Sequence, residues 1–486
     1  MKITGWDDVS FLAAFHLEKA AGKHSTCRFQ AGIREEQAST FLQRVGQPLA
    51  VTTDDERPVF FGRITSIARV LDERRSLRLD VQAVSGSIAE DERPHFRLFQ
   101  DETKTIGDVL AKLEMKDALT VDDKLKSIKY APFLVQVHET NFQFLCRVAR
   151  ALGTHVWVSD TIRGHVAFHV GPRAERRRQK IAFDALHAYT VRHAQLRKTA
   201  EICLQQVLAL GTSVQLGDET TEYIITGVAI DKRRETFYGT YTLEEAKDVP
   251  TPELHLPVVP ALSLRAVVMK VESQPAKARF GCVQLRFQGI EDIVTEPKRA
   301  WVSYRTPYAG KAGGIVFLPE PGDTVEALVI GEQVFVVNEY RTKPLEKEYA
   351  KLEDKYIGNN FEQRIIWKKD ALELRSKKSS IVLKEKSIDL LTGRAKVTLD
   401  EKGIYVQFGD HGLTLTDQGI AAKTAAALRM EAAQAVTAKA NGALQLETAQ
   451  GATVKAGRDA IVKSSDAIRL DSGGETSVKA SSIHLG

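Results

Sequence analysis

From Ala371 to the last residue, apolar and polar positions recur with a period of eight. From Ala427 the repeats read ALRMEAAQ, AVTAKANG, ALQLETAQ, GATVKAGR, DAIVKSSD, AIRLDSGG and ETSVKASS, followed by IHLG. Apolar residues favour positions two and four, and a spacing of two residues is typical of a β-strand rather than a helix. Glycine, serine, aspartate or asparagine then indicates a corner. Each octad therefore predicts one short strand followed by a turn.

Position five of the octad is charged in each of the eight consecutive octads from Gly419. Its residues are Lys423, Glu431, Lys439, Glu447, Lys455, Lys463, Asp471 and Lys479. Because 27% of the chain is charged, eight charges in a row have a chance of roughly 3 in 100,000. An alanine-rich helix over Gly419–Ala443 is the alternative interpretation, since alanine is the best helix former. A helix does not repeat in eights, however, and Gly442, Gly451, Gly457 and Gly473 would interrupt it.

Strands this short bury two small side chains each and are not stable in isolation, so the octads must stack as in a β-solenoid. Leu374, Val382, Leu390 and Val406 extend the position-four pattern back to Ala371. At Thr398 and Thr414 the apolar pairs shift by one residue, which we interpret as phase slips that turn the strand to its other face. Fourteen octads from each of three interleaved chains would form a prism on the order of 70 Å long.

Six short β-rich runs precede the octads. They are RAVVMKVE, GCVQLRF, RAWVSYR, GGIVFLP, DTVEALVI and QVFVVNEY, between residues 265 and 340. Their regular spacing, with glycine and proline between them, predicts a small all-β barrel. Four prolines between Pro250 and Pro260 indicate a linker before it.

The N-terminal half predicts strands flanked by helices. Val59–Val70 and Leu77–Val84 alternate as a hairpin would, and Thr221–Thr242 predicts a second hairpin that turns at Asp231–Arg234. Thr105–Met115 predicts a helix capped by Thr105. Its apolar face is Ile106, Val109, Leu110 and Leu113.

The barrel runs carry a family resemblance. In order, Gly281-x-Val283-x-Leu285-x-Phe287, Trp301-Val302-Ser303, Pro307-x-Ala309-Gly310-x-x-Gly313-Gly314 and Phe317-Leu318-Pro319-Glu320-x-Gly322-Asp323-x-Val325 resemble the OB-fold of VgrG-type spike proteins. This family includes the central spikes of contractile phage tails, phage-tail-like particles and the type VI secretion system. The match covers about eighty residues and is followed by an octad repeat.

A stretch of the first half is similar to the hub domain of the same family. It reads Tyr130-x-Pro132-x-Leu134-Val135-Gln136-x-x-Glu139-x-Asn141-Phe142-x-Phe144-Leu145-x-Arg147. Thr140-Asn141 stands where many members have Ser-Asp, which keeps a helix N-cap. Leu145, Val148, Ala149 and Leu152 give a helical face that ends at Gly153.

The resemblance implies a mainly β fold with a few helices. Its domains would be 1–250, a tail-hub-like domain of two β-barrels with helices; 251–345, the linker and OB-fold; 346–370, a connector; and 371–486, a triple-stranded β-helix in a homotrimeric prism. It implies a structural, non-enzymatic spike that caps an inner tube and punctures a target cell envelope. Inner-tube and baseplate proteins, a PAAR-type tip protein and possible effector cargo are the implied partners.

Two groups of site residues follow from this assignment. The first group would face the threefold axis: Leu428, Met430, Val436, Leu444, Leu446, Val454, Val462, Ile468, Leu470 and Val478. The second group would bind the tip protein: Ser482, Ile483, His484 and Leu485.

Length and composition limit the number of domains and the classes of function. The 486 residues predict about three domains. The net charge of +5 is too weak a basic balance to indicate nucleic-acid binding, and the four cysteines form no CxxC pair. No apolar run reaches the roughly 18 residues of a membrane helix, and Met1–Ser10 has no signal-peptide core. We expect synthesis in the cytoplasm, then assembly into a baseplate that is delivered to the target cell surface.

No catalytic, cofactor or metal site is predicted. His165 and His169 lie in a β-like stretch without the HExxH pattern of a zinc protease. His484 lacks the His-x-His pair found at some spike tips. The basic run from Arg173 to Lys180 has no interleaved aromatics for nucleic-acid stacking. Two alternatives remain: a cell-wall hydrolase with an unrecognised site in the N-terminal half, and an OB-fold nucleic-acid binder.

Overall fold

The computed structural model describes residues 1–71, 76–101, 103–115, 118–130, 133–172, 178–194, 197–246, 261–272, 282–294, 298–308, 315, 317–331, 333–340, 354–359 and 361–484. The chain divides into two units, Met1–Pro344 and Leu345–Gly486. The predicted proline-rich linker, residues 250–260, lies outside the described residues.

The described part of the first unit is mainly β-structure with a few helices, which confirms the predicted fold class. Its strands are β1 (Lys2–Ile3), β2 (Phe11–Ala20), β3 (Thr26–Gly32), β4 (Pro48–Thr52), β5 (Pro58–Leu71), β6 (Leu77–Ser85), β7 (His95–Phe99), β8 (Ala118–Val121), β9 (Leu134–Glu139), β10 (Val156–Ile162), β11 (His165–Val170), β12 (Gln179–Ile181), β13 (Ala188–Ala194), β14 (Arg197–Leu204), β15 (Ser213–Leu216), β16 (Glu222–Arg233), β17 (Thr236–Glu245), β18 (Leu262–Glu272), β19 (Cys282–Phe287), β20 (Glu291–Ile293), β21 (Trp301–Tyr304), β22 (Thr324–Ile330) and β23 (Gln333–Tyr340). Its helices are α1 (Ala38–Leu42), α2 (Ile106–Ala111), α3 (Asp123–Lys126) and α4 (Asn141–Ala151), with 3₁₀ turns at Glu35–Gln37, Gly86–Asp91 and Phe183–Ala185.

A twelve-stranded sheet joins the two ends of the N-terminal half. Strands β1–β6 supply one part and β12–β17 the other, and they meet where β2 pairs antiparallel with β16. Both predicted hairpins are present, as β5–β6 and β16–β17. Alternating apolar side chains build its core, in which Phe29, Tyr223 and Tyr241 are buried.

Helices α2 and α4 share a second core with the three-stranded sheet β10-β11-β8. The predicted cap of α2 is confirmed, because the Thr105 side chain accepts a hydrogen bond from the Asp108 N–H. The Thr140 side chain caps α4 in the same way, and the chain leaves α4 at Gly153, whose φ of 68° favours glycine.

A closed barrel of five strands, in the order β18-β19-β21-β23-β22, confirms the predicted all-β barrel. Five of the six predicted runs supply these strands. The described residues of the remaining run, GGIVFLP, form no strand. Closure pairs every strand with two neighbours and leaves no open sheet edge.

The second unit contains one nine-stranded sheet among its described residues. Its strands are β24 (Lys355–Gly358), β25 (Gln363–Trp367), β26 (Ala371–Ser376), β27 (Ser379–Lys384), β28 (Ser387–Thr392), β29 (Ala395–Asp400), β30 (Gly403–Phe408), β31 (His411–Thr416) and β32 (Gly419–Lys423). Each strand pairs antiparallel with the next. From β26 onward, two-residue turns separate six-residue strands, as the octad pattern predicts.

Candidate assembly surfaces

One face of the nine-stranded sheet is apolar along its whole length. Strand pairing aligns two columns of side chains on this face. One column is Ile365, Leu374, Ile381, Leu390, Val397, Val406, Leu413 and Ala422. The other is Trp367, Leu372, Leu383, Ile388, Leu399, Ile404, Leu415 and Ile420. Most of these side chains leave 37–46% of their surface exposed. A continuous apolar surface of this kind indicates an interaction site.

The opposite face of the sheet carries paired charges beside a few apolar side chains. Glu373 accepts hydrogen bonds from Arg375 Nε at 2.6 Å and from Lys368 Nζ at 2.7 Å. Asp389 accepts from Thr398 Oγ1 at 2.6 Å and from Lys384 Nζ at 3.1 Å. The Thr398 hydrogen bond and the two neighbouring lysines lower the pKa of Asp389. The carboxylates of Glu373 and Asp389 are themselves buried beneath the basic side chains that pair with them, whereas the apolar columns on the other face stay partly exposed.

The antiparallel pairing explains the shifts at Thr398 and Thr414. With six-residue strands and two-residue turns, position four faces position three of the next octad, as in Leu374↔Ile381. Even positions of one octad therefore lie on the same face as odd positions of the next octad. In the octads that contain Thr398 and Thr414, position three lies on the apolar face, so these two threonines, at position four, lie on the opposite face. The interpretation of these shifts as phase slips is wrong. The frame of eight is unbroken, and the shift recurs every sixteen residues because the chain reverses direction.

From Ala427 onward the pattern no longer reverses. Apolar residues favour positions two and four in every octad. Continuing the antiparallel sheet would place them on alternate faces, whereas parallel neighbouring strands keep each position on one face. Parallel strands need a long crossover connection, which a two-residue corner cannot supply within one flat sheet. The change of pattern near residue 424 therefore predicts a change from antiparallel pairing within the chain to another kind of strand pairing.

The structure changes at the same place. In the described chain, residues 424–484 pair with no strand, and residues 425–484 are all exposed. Bends recur at positions seven and eight of the octads: 433–434, 441–442, 449–450, 457–458, 465–466 and 473–474. The bends are thus present at the predicted corners, while the described residues between them form no strand and pair with nothing in the chain.

The residues predicted to face a threefold axis are all strongly exposed in the single chain. Their exposed fractions run from 55% for Ile468 to 89% for Leu446. Ile420 and Ile461, at 75% and 70%, belong to the same exposed apolar set and were missed. Ile420 ends the column that begins at Trp367, and Ile461 occupies position three, where the pattern favours polar residues.

The predicted tip residues lie at the end of this segment. Ser482, Ile483 and His484 are exposed, and Leu485 lies outside the described residues. Their role as a tip-protein site stays a prediction.

Sequence reasoning missed a polar joint between the N-terminal half and β20, which follows the barrel strand β19 in the chain. Strand β20 pairs in parallel with β7, which pairs with β9. The buried Arg97 on β7 donates from Nε to Glu291 Oε2 at 2.9 Å and from Nη1 to Asn141 Oδ1 at 2.9 Å. Arg299 Nη1 donates to Asp292 Oδ2 at 2.6 Å, and both side chains are buried. The buried Arg97 therefore connects β20 to the start of α4, and the Arg299–Asp292 pair fixes β20 to the segment that leads into the barrel strand β21.

The residues that carry the hub resemblance support this joint. Arg147 donates from Nε and Nη2 to the two carboxylate oxygens of Glu139, each at 2.7 Å. Asn141 Nδ2 donates to the Leu113 carbonyl at 2.8 Å, while its oxygen accepts from Arg97. An aspartate has no such donor, so the amide serves both neighbours in this chain.

Removing the Tyr130 hydroxyl should weaken the first unit. This hydroxyl donates to the Asp101 carbonyl at 2.9 Å and accepts from the Asp101 N–H at 3.1 Å, all in buried surroundings. Tyr130→Phe is expected to cost about 1–3 kcal/mol, because buried backbone groups lose a partner. Hydrogen exchange of the Asp101 amide measures the loss. Tyr308→Phe, at a tyrosine 60% exposed, is the control and should change nothing; unchanged exchange in Tyr130→Phe would contradict the role.

A serine, a histidine and an aspartate contact one another in the N-terminal half. His24 Nδ1 lies 2.7 Å from Ser87 Oγ, and His24 Nε2 lies 2.7 Å from Asp91 Oδ2. Ser87 is completely buried, and Phe142 packs on the imidazole with ring centroids 4.1 Å apart. A nucleophile enclosed in this way has no access to a polymeric substrate, so the contact holds the turn Gly86–Asp91 in place.

A cavity of about 220 Å³ lies between β2, β5, β10 and β16. Its charged centre is a buried ion pair in which Lys19 Nζ lies 2.5 Å from Asp160 Oδ1. Its described lining contains neither histidine nor cysteine. Burial raises the pKa of the nearby Cys27 thiol to about 12, which keeps it protonated and unreactive.

The histidines and basic residues considered above as metal or nucleic-acid ligands make contacts within the fold. His165 and His169 lie on β11, and both ring nitrogens of His169 are engaged, by Thr120 and by the Pro172 carbonyl. In the basic run, Arg178 pairs with Glu222 and Lys180 with Asp218, while residues 173–177 lie outside the described residues. Among the described residues, no group of three or more His, Cys, Asp or Glu is placed to hold a metal ion. No described helix is both long and apolar enough to cross a membrane.

Comparison with solved structures identifies similar chains. A chain in the lidded structure of the Francisella PdpA–VgrG complex has a TM-score of 0.51 and 9% identity, over 85% of this chain and 76% of that chain. The E. coli c3393 protein is described as a component of the type VI secretion system with structural similarity to the T4 tail proteins gp27 and gp5. It covers 70% of this chain and 99% of its own length, with 13% identity and a TM-score of 0.49.

No protein-family model and no curated protein matches the sequence. At this level of identity, the likeness to the chain from the PdpA–VgrG complex shows a shared fold. The resemblance to VgrG-type spikes is therefore confirmed at the level of the fold.

Proposed function

We propose that this protein is the structural spike and hub of a contractile injection machine and acts as a homotrimer. One observation carries the proposal: the second unit exposes an apolar sheet face that continues into octads with no partner in their own chain. Within the described residues, the chain itself neither covers this face nor pairs these octads. Two further copies of the chain would cover the apolar face and would pair with the octads.

The two parts of the second unit take different places in the trimer. Each copy contributes its sheet Lys355–Lys423 as one wall of a prism, with the apolar columns inside and the paired charges outside. Beyond residue 424 the three chains wind around one another, so that each octad lies beside octads of the other copies. The axis-facing residues predicted from the sequence are those that this winding buries.

The proposed mechanism is mechanical. The first unit caps the inner tube and contacts the baseplate, and the prism concentrates the force of sheath contraction on a small area of the target cell envelope. A ladder in which every strand has two neighbours resists unfolding under load and leaves few free sheet edges. Residues Ser482–Leu485 form the platform for a PAAR-type tip protein. The supporting observation is the shared fold with a chain of the PdpA–VgrG complex.

Native mass tests the proposal. Light scattering of the full chain should give about three times 53.9 kDa, and the mass should persist on dilution. Deleting residues 424–486 removes the wound octads but keeps the nine-stranded sheet, and deleting 371–486 removes nearly all of the apolar face as well. We expect the trimer to weaken with the first deletion and more with the second. A full-length monomer would overturn the proposal.

A further inference from the structure

The charges at position five alternate in sign along the octads. From Lys423 to Lys479 the order is Lys, Glu, Lys, Glu, Lys, Lys, Asp, Lys, so six of the seven steps join opposite charges. All eight side chains are exposed in the single chain. Neighbouring opposite charges on adjacent strands attract each other, and like charges directly opposite are destabilising. The alternation therefore suits a structure in which consecutive octads lie side by side.

Beyond the nine-stranded sheet, in the described residues 424–484, consecutive octads of one chain are not paired with each other. Within the described residues 424–484, the ion pair observed is Arg429–Glu431, inside one octad. Equivalent positions of consecutive octads are eight residues apart, which is up to about 26 Å of extended chain, whereas neighbouring strands are about 4.8 Å apart. The partner of each position-five charge must therefore come from elsewhere.

Two arrangements keep all neighbouring strands parallel. A single-chain solenoid with three sides would stack each octad on the third octad after it. That stacking gives five position-five pairs, of which two are of opposite charge (Lys423–Glu447 and Glu431–Lys455) and three are of like charge (Lys439–Lys463, Glu447–Asp471 and Lys455–Lys479), against six opposite contacts in seven for octads that lie beside the next octad. Three interleaved chains instead stack each octad on the following octad of another copy, which joins Glu447 to Lys439 and Lys455. The signs of the charges favour three chains.

We propose that position five forms an interchain charge ladder that sets the register of the three copies. Octad n of one copy lies beside octad n+1 of the next, and each rung of opposite charge is repeated three times around the shaft. A slip of one octad between two chains would place like charges together at most rungs. The step from Lys455 to Lys463 is the one repulsive rung. This inference rests on the proposed trimer and adds the register of its chains.

Zero-length carbodiimide cross-linking of the full-length protein tests the register. We expect isopeptide bonds between Lys439 and Glu447 and between Lys455 and Glu447, in species that migrate as dimers and trimers in SDS. Co-expressing two chains with different affinity tags and purifying on both tags shows that the bonded chains are separate copies. Bonds that join octads three apart, or bonds confined to monomers, would overturn the ladder. Light scattering of the uncross-linked sample tests the trimer separately.

A charge swap tests whether the ladder contributes to assembly. Glu447→Lys should lower the fraction of trimer that survives heating in SDS, because it places four like charges in succession. Adding Lys439→Glu and Lys455→Glu restores opposite charges around residue 447 and should restore the trimer. Gln445→Lys, which adds the same charge to the same octad at position three, is the control. If Glu447→Lys behaves like Gln445→Lys while the protein stays trimeric, the ladder is wrong and the proposed function stands.

Discussion

Val454→Asp is expected to abolish the trimer. Val454 occupies position four, faces the proposed axis and is 84% exposed in the single chain. In the trimer, three aspartates would be buried close together without a cation, and each unpaired buried charge costs several kcal/mol. Light scattering and SDS-resistant migration measure the result, which should be a monomer or an aggregate at neutral pH.

Thr453→Asp is the matched control for this prediction. It adds the same charge one residue earlier, at position three, which faces solvent in the proposed prism, and the trimer should form normally. Crowding raises the pKa of three buried aspartates in the assembled state. The destabilisation of Val454→Asp should therefore be relieved as the pH falls toward about 4, where the free side chain also begins to protonate. A stable Val454→Asp trimer at neutral pH would refute the inward position of residue 454.

Arg299→Met is expected to destabilise the attachment of β20 to the barrel by about 3–5 kcal/mol, since it leaves the buried Asp292 without its cation. Arg299 Nη1 also donates to the Leu285 carbonyl at 2.9 Å, so the barrel strand β19 loses a contact as well. A loss of this size is a large part of the 5–15 kcal/mol that stabilises a typical domain. Hydrogen exchange across β7, β19 and β20 measures it.

Two controls separate the charge from the shape of the side chain. Lys298→Met changes the neighbouring exposed cation and should alter stability by no more than about 0.5 kcal/mol. The double change Arg299→Met with Asp292→Asn removes the unpaired charge and should recover much of the loss. Equal losses in the single and double variants would show that the packing of Arg299, and not its charge, holds the joint.

Local signals in the sequence predicted most of the secondary structure that could be compared. Thr105 and Thr140 cap α2 and α4, and Gly153 ends α4, because capping depends on hydrogen bonds within one turn. The hairpin β16–β17 turns close to the predicted residues for the same reason. These features need no knowledge of the rest of the chain.

The polar joint was not predicted, because its partners are far apart in sequence. Arg97 and Glu291 are 194 residues apart, and neither stands in a motif. Strand β20 is three residues long, too short to give a periodic pattern. Its pairing with β7 arises only when the barrel and the N-terminal half fold together.

The sequence by itself determined that the C-terminal segment is built of eight-residue repeats, each predicted as a short strand and a corner, because strand periodicity and turn residues act locally. Only the tertiary structure decided which way those strands run. The pairing of Leu374 with Ile381 shows that the chain reverses at each turn up to Lys423. From the apolar positions alone, this reversal was interpreted as slips of register. Beyond that point the described residues form no strand and have no partner in their own chain, because strand pairing depends on the surface that a segment can bury and not on its own residues alone.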